Sequence, residues 1–132
     1  MLGLGKDQIK TFERVTLRLS GMRGIWEQEI TCKDEKALVS EYGLRFYEGQ
    51  EERVLRRSDE VDLQEVLKVL NSCNIASWNG FYGERPHGLL DGIMFQFEAV
   101  VNDGQQITAR GTENFPSHYE KFTDALYDWL KE

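Results

Sequence analysis

The sequence predicts an α+β fold: an antiparallel sheet in element order ββββαββα, with two helices packed on one face. Three observations predict it. Several stretches alternate apolar and polar residues with period two. Two later stretches carry apolar residues at helical spacing, each behind a helix-start signal. Strands and helices come in runs, without the regular βα alternation of a parallel nucleotide-binding sheet.

The first strand lies within Gln8 to Ser20, where Val15, Leu17 and Leu19 share a face against Thr16, Arg18 and Ser20. Phe12 falls on the wrong parity, which predicts a bulge near Glu13. After the turn Gly21 to Gly24, Trp26, Gln28, Ile30 and Cys32 form the inward side of a second strand. Lys33-Asp34-Glu35-Lys36 turns the chain. A third strand then places Leu38, Ser40, Tyr42, Leu44 and Phe46 on one face, which we expect to join the core. A short fourth strand around Arg53 to Arg57 completes an antiparallel meander.

Asp62 is a helix cap, with Glu65 completing a capping box and Val61 and Val66 spaced as a hydrophobic staple. Leu63, Val66, Leu67 and Leu70 form the apolar stripe of that helix, which fades over Asn71 to Asn74. Ile75 to Leu90 shows no periodicity, and irregular segments of this length often carry function. Ile93, Phe95, Phe97, Ala99 and Val101 then alternate with polar neighbours toward the turn Asn102-Asp103-Gly104. A three-residue loop sets Ala99 opposite Ile107 and Phe97 opposite Ala109, keeping apolar with apolar. The expected loop is therefore a type I turn with a Gly bulge. Ser117 and Glu120 read as a second capping box, opening a helix lined by Tyr119, Phe122, Leu126, Trp129 and Leu130.

The chain of 132 residues reads as a single domain over 1–132, with 1–6 as a disordered N-terminus. Its 16 basic and 23 acidic residues give a net charge of −7, which opposes contact with nucleic acid and anionic membrane. The N-terminus lacks a basic leader and an apolar run, and no stretch approaches the roughly 20 apolar residues of a membrane span. We therefore expect a soluble, cytoplasmic protein. Cys32 and Cys73 read as buried thiols of a reducing compartment.

From Trp78 to about Leu130 the chain carries Trp78-Asn79-Gly80, Leu90-Asp91-Gly92, the Asp103-Gly104 hairpin and Gly111-Thr112-Glu113-Asn114-Phe115-Pro116. With these pieces it resembles a group of uncharacterised bacterial proteins, many from Gram-positive species of gut and soil. Their pattern runs Trp-x-Gly, Leu-Asp-Gly, a Gly-turned hairpin and Gly-x-x-Asn-x-Pro before an amphipathic helix. Phe95 fills the aromatic place that often follows Asp-Gly. The resemblance implies a bacterial domain of this type and transfers no activity and no catalytic residue.

No motif implies a cofactor or a metal. There is no Gly-x-Ser-x-Gly elbow, no His-Glu-x-x-His and no Cys-x-x-Cys. Gly3-x-Gly5-Lys6 lacks the upstream strand and the Ser or Thr of a phosphate loop. The segment Trp78 to Gly88 has the one unusual composition, mixing aromatics, Arg, His and Gly as recognition loops do. Trp78, Phe81, Tyr82, Arg85 and His87 are the candidate ligand-binding residues of a non-catalytic binding or protein-interaction module. The bland alternative has Trp78 and Phe81 plugging the core edge while Gly83 and Gly88 serve turns. A second class of reading is a small enzyme built on His87, Asp91 and Arg85, with His87 against a carboxylate. A third, an acidic immunity-like inhibitor of a basic toxin, follows from net charge alone.

Overall fold

A computed structural model describes residues 8–22, 24–88 and 92–130 of the chain. Strand β1 (Phe12–Gly21) runs through the interior of the sheet, because its apolar side faces neighbours on both flanks. On one flank lie β2 (Gly24–Lys33), β3 (Lys36–Tyr47) and β4 (Gln50–Asp62), each antiparallel to the last. On the other lie β6 (Met94–Val101) and β7 (Gln105–Thr112), with the two-residue β5 (Tyr82–Gly83) beyond them. Because β5 runs parallel to β7, the seven-stranded sheet is mixed, which corrects the expectation of a purely antiparallel one. The fold is α+β, and β5 is the element that period-two alternation could not reveal: two residues carry no period.

Helices α1 (Leu63–Ser72) and α2 (Tyr119–Trp129) cover one face. Val66 and Leu70 of α1 and Phe122 and Leu126 of α2 are buried with Val15, Leu17, Ile30, Phe95, Phe97, Ala99 and Ile107 of the sheet. No helix is long and apolar enough to cross a membrane, among the described residues. The expected end at 1–6, and Gly3, Gly5 and Lys6 within it, lie outside the described residues.

Several local expectations hold. The register of β1 on β6 shifts between Phe12 and Arg14, so the bulge returns Phe12 to the core. Asp62 caps α1, its carboxylate accepting from the Gln64 amide at 3.4 Å. The hairpin sets Ala99 opposite Ile107 and Phe97 opposite Ala109.

Its turn differs. Asn102 and Asp103 have φ of 45° and 63°, the hand of a type I′ turn, with Gly104 as the extra residue. Asn102 tolerates this conformation and uses its amide to hold the N-terminal segment. It accepts from Lys10 and Thr11 amides at 2.8 and 3.2 Å and donates to the Gln8 carbonyl at 2.9 Å.

Three further expectations are corrected. The turn at Asp34-Glu35 is two residues long, so Ile30 pairs with Val39 and Cys32 with Ala37. Since paired residues share a face, Ala37 and Val39 enter the core, and Leu38, Ser40, Tyr42, Leu44 and Phe46 line the opposite side of the sheet. Cys32 is exposed at the sheet's end, its thiol donating to the Phe12 carbonyl at 2.9 Å; Cys73 alone is buried. Desolvation raises the thiol pKa of both. Ser117 does not cap α2: the residue before the helix is His118, at φ 68°, and it contributes no side-chain cap. The Ser117 carbonyl instead accepts from the Trp78 indole.

Candidate functional site

The segment from Trp78 to Gly88 divides at Gly83. Its first half seals the sheet. Ile75–Trp78 forms a short 3-10 turn that aims Trp78 inward, where it is 1% exposed. The indole meets Phe97 edge-on at 4.9 Å and Phe122 edge-on at 5.6 Å, and its N–H donates to the Ser117 carbonyl at 2.9 Å. A ring so enclosed has no face left for a ligand, so Trp78 leaves the candidate set. Phe81 is half-buried against Phe95.

The backbone from Asn79 to Gly83 then runs along β7 and takes up its outward polar groups. Asn79 Oδ1 accepts from the Thr108 amide at 3.0 Å, the Gly80 amide donates to the Thr108 carbonyl at 2.8 Å, and the Arg110 amide donates to the Phe81 carbonyl at 3.1 Å. Gly83 and Gly111 pack backbone against backbone. A Cβ on either would meet the Asn114 carbonyl oxygen, at 2.0 Å from Gly83 and 2.5 Å from Gly111. Asn114 completes the junction by donating from Nδ2 to the Glu84 carbonyl at 3.2 Å. Glycine is required at both positions by close approach.

Tyr82 and the residues after Gly83 face outward. Tyr82 is 64% exposed, and the Arg110 guanidinium lies 5.3 Å from its ring centroid. Gly80, Phe81, Tyr82, Thr108, Ala109 and Arg110 line a shallow hollow of about 450 Å³ beside it. Arg85 and His87 are exposed. Among the described residues neither makes a side-chain hydrogen bond or ion pair. Asp91, the carboxylate of the alternative catalytic set, lies outside the described residues. The structure thus brings Tyr82 to Arg110, a residue the sequence did not single out, on a segment whose backbone is held at both sides.

Two further surfaces escaped the reading of the sequence. At the far corner of the helix-covered face, Trp26, Gly43, Val54, Glu41, Arg45 and Arg56 border a concavity of about 480 Å³ that the helices do not reach. Arg57 links its Glu41 to the last turn of α2, donating to Glu41 Oε1 at 3.0 Å and to the Leu130 carbonyl at 2.9 Å. On the opposite face of the sheet, Glu27 is 8% exposed and lies between Arg18 at 3.4 Å and Arg53 at 3.0 Å. Arg53 also reaches Glu29 and covers the Tyr42 ring at 3.8 Å, while Arg18 reaches Glu51. The acids of this face are therefore largely engaged by arginines. Register arithmetic at the Asp34-Glu35 and Glu48-Gly49 turns, as applied to the Gly104 hairpin, is the signal that could have placed Glu27, Tyr42 and Arg53 together.

Among the described residues no group of three or more His, Cys, Asp or Glu side chains is arranged to hold a metal ion. Comparison with protein-family models, with curated proteins and with solved structures finds no match to this chain.

Proposed function

We propose that the protein is a non-catalytic interaction module of the cytoplasm. Tyr82 and Arg110, with Arg85 and His87 exposed further along the segment that carries Tyr82, form the contact surface for a protein partner. The observation that carries this reading is an exposed aromatic ring on a pinned backbone. Ordering a loop on binding costs free energy, and a backbone already tied to β7 avoids most of that cost. Tyr and Arg supply large contact area with few rotatable bonds and dominate many protein interfaces. The local excess of Arg and His in a chain of net charge −7 favours a partner that offers carboxylates to this corner.

The same reading groups the chain with the bacterial proteins that carry the Trp-x-Gly and Gly-x-x-Asn-x-Pro pattern. Support comes from the joint these residues make, since Trp78, Asn79, Gly111 and Asn114 all serve to hold the segment that presents Tyr82.

Affinity capture from cells of the source organism tests the proposal, comparing the wild type with a Tyr82→Ala/Arg85→Ala/His87→Ala variant of unchanged melting temperature. A protein retained by the wild type and lost from the variant is expected. Identical retained sets would remove the basis of the reading.

A further inference from the structure

The two ends of the sheet are finished differently, and the difference points to a second contact surface. At the β7 end the outward backbone groups are bound by Asn79 to Gly83. At the other end β4 spans 13 residues and, among the described residues, pairs only with β3. At about 3.4 Å per residue that is an edge of roughly 44 Å, with alternate N–H and C=O groups pointing outward. Exposed apolar side chains gather beside it: Phe46 and Tyr47 in the β3–β4 turn region, and Val54 and Leu55 on β4 itself.

The side chains of β4 alternate between the two faces of the sheet in a way the register fixes. Val54 pairs with Gly43 and shares the helix-side face with Glu52, while Arg53 and Leu55 pair with Leu44 and Tyr42 on the opposite face. Arg56 is the extra residue of a bulge, and its guanidinium lies over Gly43, so it too faces the helix side. Arg56 makes no ion pair among the described residues.

We propose that β4 pairs antiparallel with β4 of a second copy of this chain, about a two-fold axis at Val54. Val54 then lies opposite itself, Arg53 opposite Leu55, and Glu52 opposite Arg56. Each pair shares one face of the sheet, and Glu52 meets Arg56 twice, once on either side of the axis, as a symmetric interface demands. Neighbouring registers lose this match. An axis between Val54 and Leu55, or between Leu55 and Arg56, sets a helix-side residue against an outward one at its centre. One between Arg56 and Arg57 shares faces but sets those two arginines against each other. One at Leu55 sets Arg53 against Arg57. One at Arg53 leaves Arg56 opposite Gln50 and Glu51 opposite Leu55. One at Ser58 pairs Arg56 with Glu60, which sit on opposite faces. Glu51 and Arg57, which the Val54 axis leaves unmatched, are already bound within their own copy, to Arg18 and Glu41. Glu52 reaches Arg45 at 3.2 Å in its own copy, so in the pair its exposed carboxylate is shared between Arg45 and Arg56 of the second copy. The pairing leaves β5 and Tyr82 at the two extremities of one continuous sheet, so it is independent of the contact surface proposed above.

Sedimentation equilibrium at micromolar to submillimolar concentration tests the pairing. The wild type is expected at twice the monomer mass of 15.3 kDa. Glu52→Arg and Arg56→Glu should each weaken association at least about tenfold, because like charges then face each other across the axis. The double swap should restore it, which separates a lost contact from a damaged fold. In a Cys32→Ser background, Val54→Cys should oxidise to a covalent dimer and Ser58→Cys should not. A wild type that stays monomeric throughout, single swaps without effect, or cross-linking at Ser58 in preference to Val54 would each overturn the proposal.

Discussion

The two edges of this sheet solve one problem in opposite ways. The edge of β7 is short, and the chain itself closes it: Asn79 to Gly83 lies along it, anchored below by Trp78 and clasped above by Asn114. The edge of β4 is longer and, among the described residues, left unpaired, flanked by charges and a bulge at Arg56. An edge closed by its own chain needs particular residues, because backbone must meet backbone. A bare edge needs only that its side chains discourage indiscriminate pairing. Substitutions should therefore be costly at one end of the sheet and cheap at the other.

The largest effect is expected at Trp78. Trp78→Ala removes a buried indole and its bond to the Ser117 carbonyl, and should cost about 4 kcal/mol in urea unfolding. Gly83→Ala comes next, at about 3 kcal/mol, since the new methyl group collides with the Asn114 backbone rather than with a side chain that can move. Asn79→Ala should cost about 1 kcal/mol and speed hydrogen exchange at the Thr108 amide, which loses its acceptor. On the bare edge, Leu55→Ser should change the stability of dilute protein by no more than about 0.5 kcal/mol, because the side chain is already 56% exposed. A penalty at Leu55 as large as that at Gly83 would erase the contrast between the edges.

A pH dependence belongs to the closed end as well. Burial, reinforced by Glu113, raises the pKa of Tyr119 beneath the Phe95 and Phe115 rings. The folded protein therefore keeps this phenol protonated where the unfolded chain, titrating near about 10, releases it. The stability contributed is complete below that pH and declines as pH rises above it. Tyr119→Phe should flatten the alkaline side of the melting-temperature profile, a small effect read against an unchanged value at neutral pH.

Much of this was legible in the residues. The Phe12 bulge, the Asp62 cap and the Phe97–Ala109 register follow from parity and local hydrogen bonding. What misled was local too. Ser117-x-x-Glu120 has the form of a capping box, yet the Ser117 carbonyl is held by Trp78, and the chain enters α2 through a left-handed His118. Leu38, Tyr42, Leu44 and Phe46 outnumber Ala37 and Val39 in apolar bulk, but the two-residue turn at Asp34-Glu35 decides the face, not bulk. For the candidate site, the composition of Trp78 to Gly88 marked the right segment without separating its halves. Trp78 and Tyr82 are both aromatic in sequence, and only the packing shows one enclosed and the other open.

The sequence by itself determined the α+β class, both helices and the strand hairpins, because each depends on periodicity within one element or on contacts between elements adjacent in the chain. The tertiary structure decided which ends of the sheet are closed and which side chains meet across it. Asn79 with Thr108, Gly83 with Asn114 and Arg110 with Tyr82 are each brought together by the return of the chain along β7. No local period encodes that return. It depends on where the long segment after α1 finds unpaired backbone, and that is settled only when the sheet is assembled.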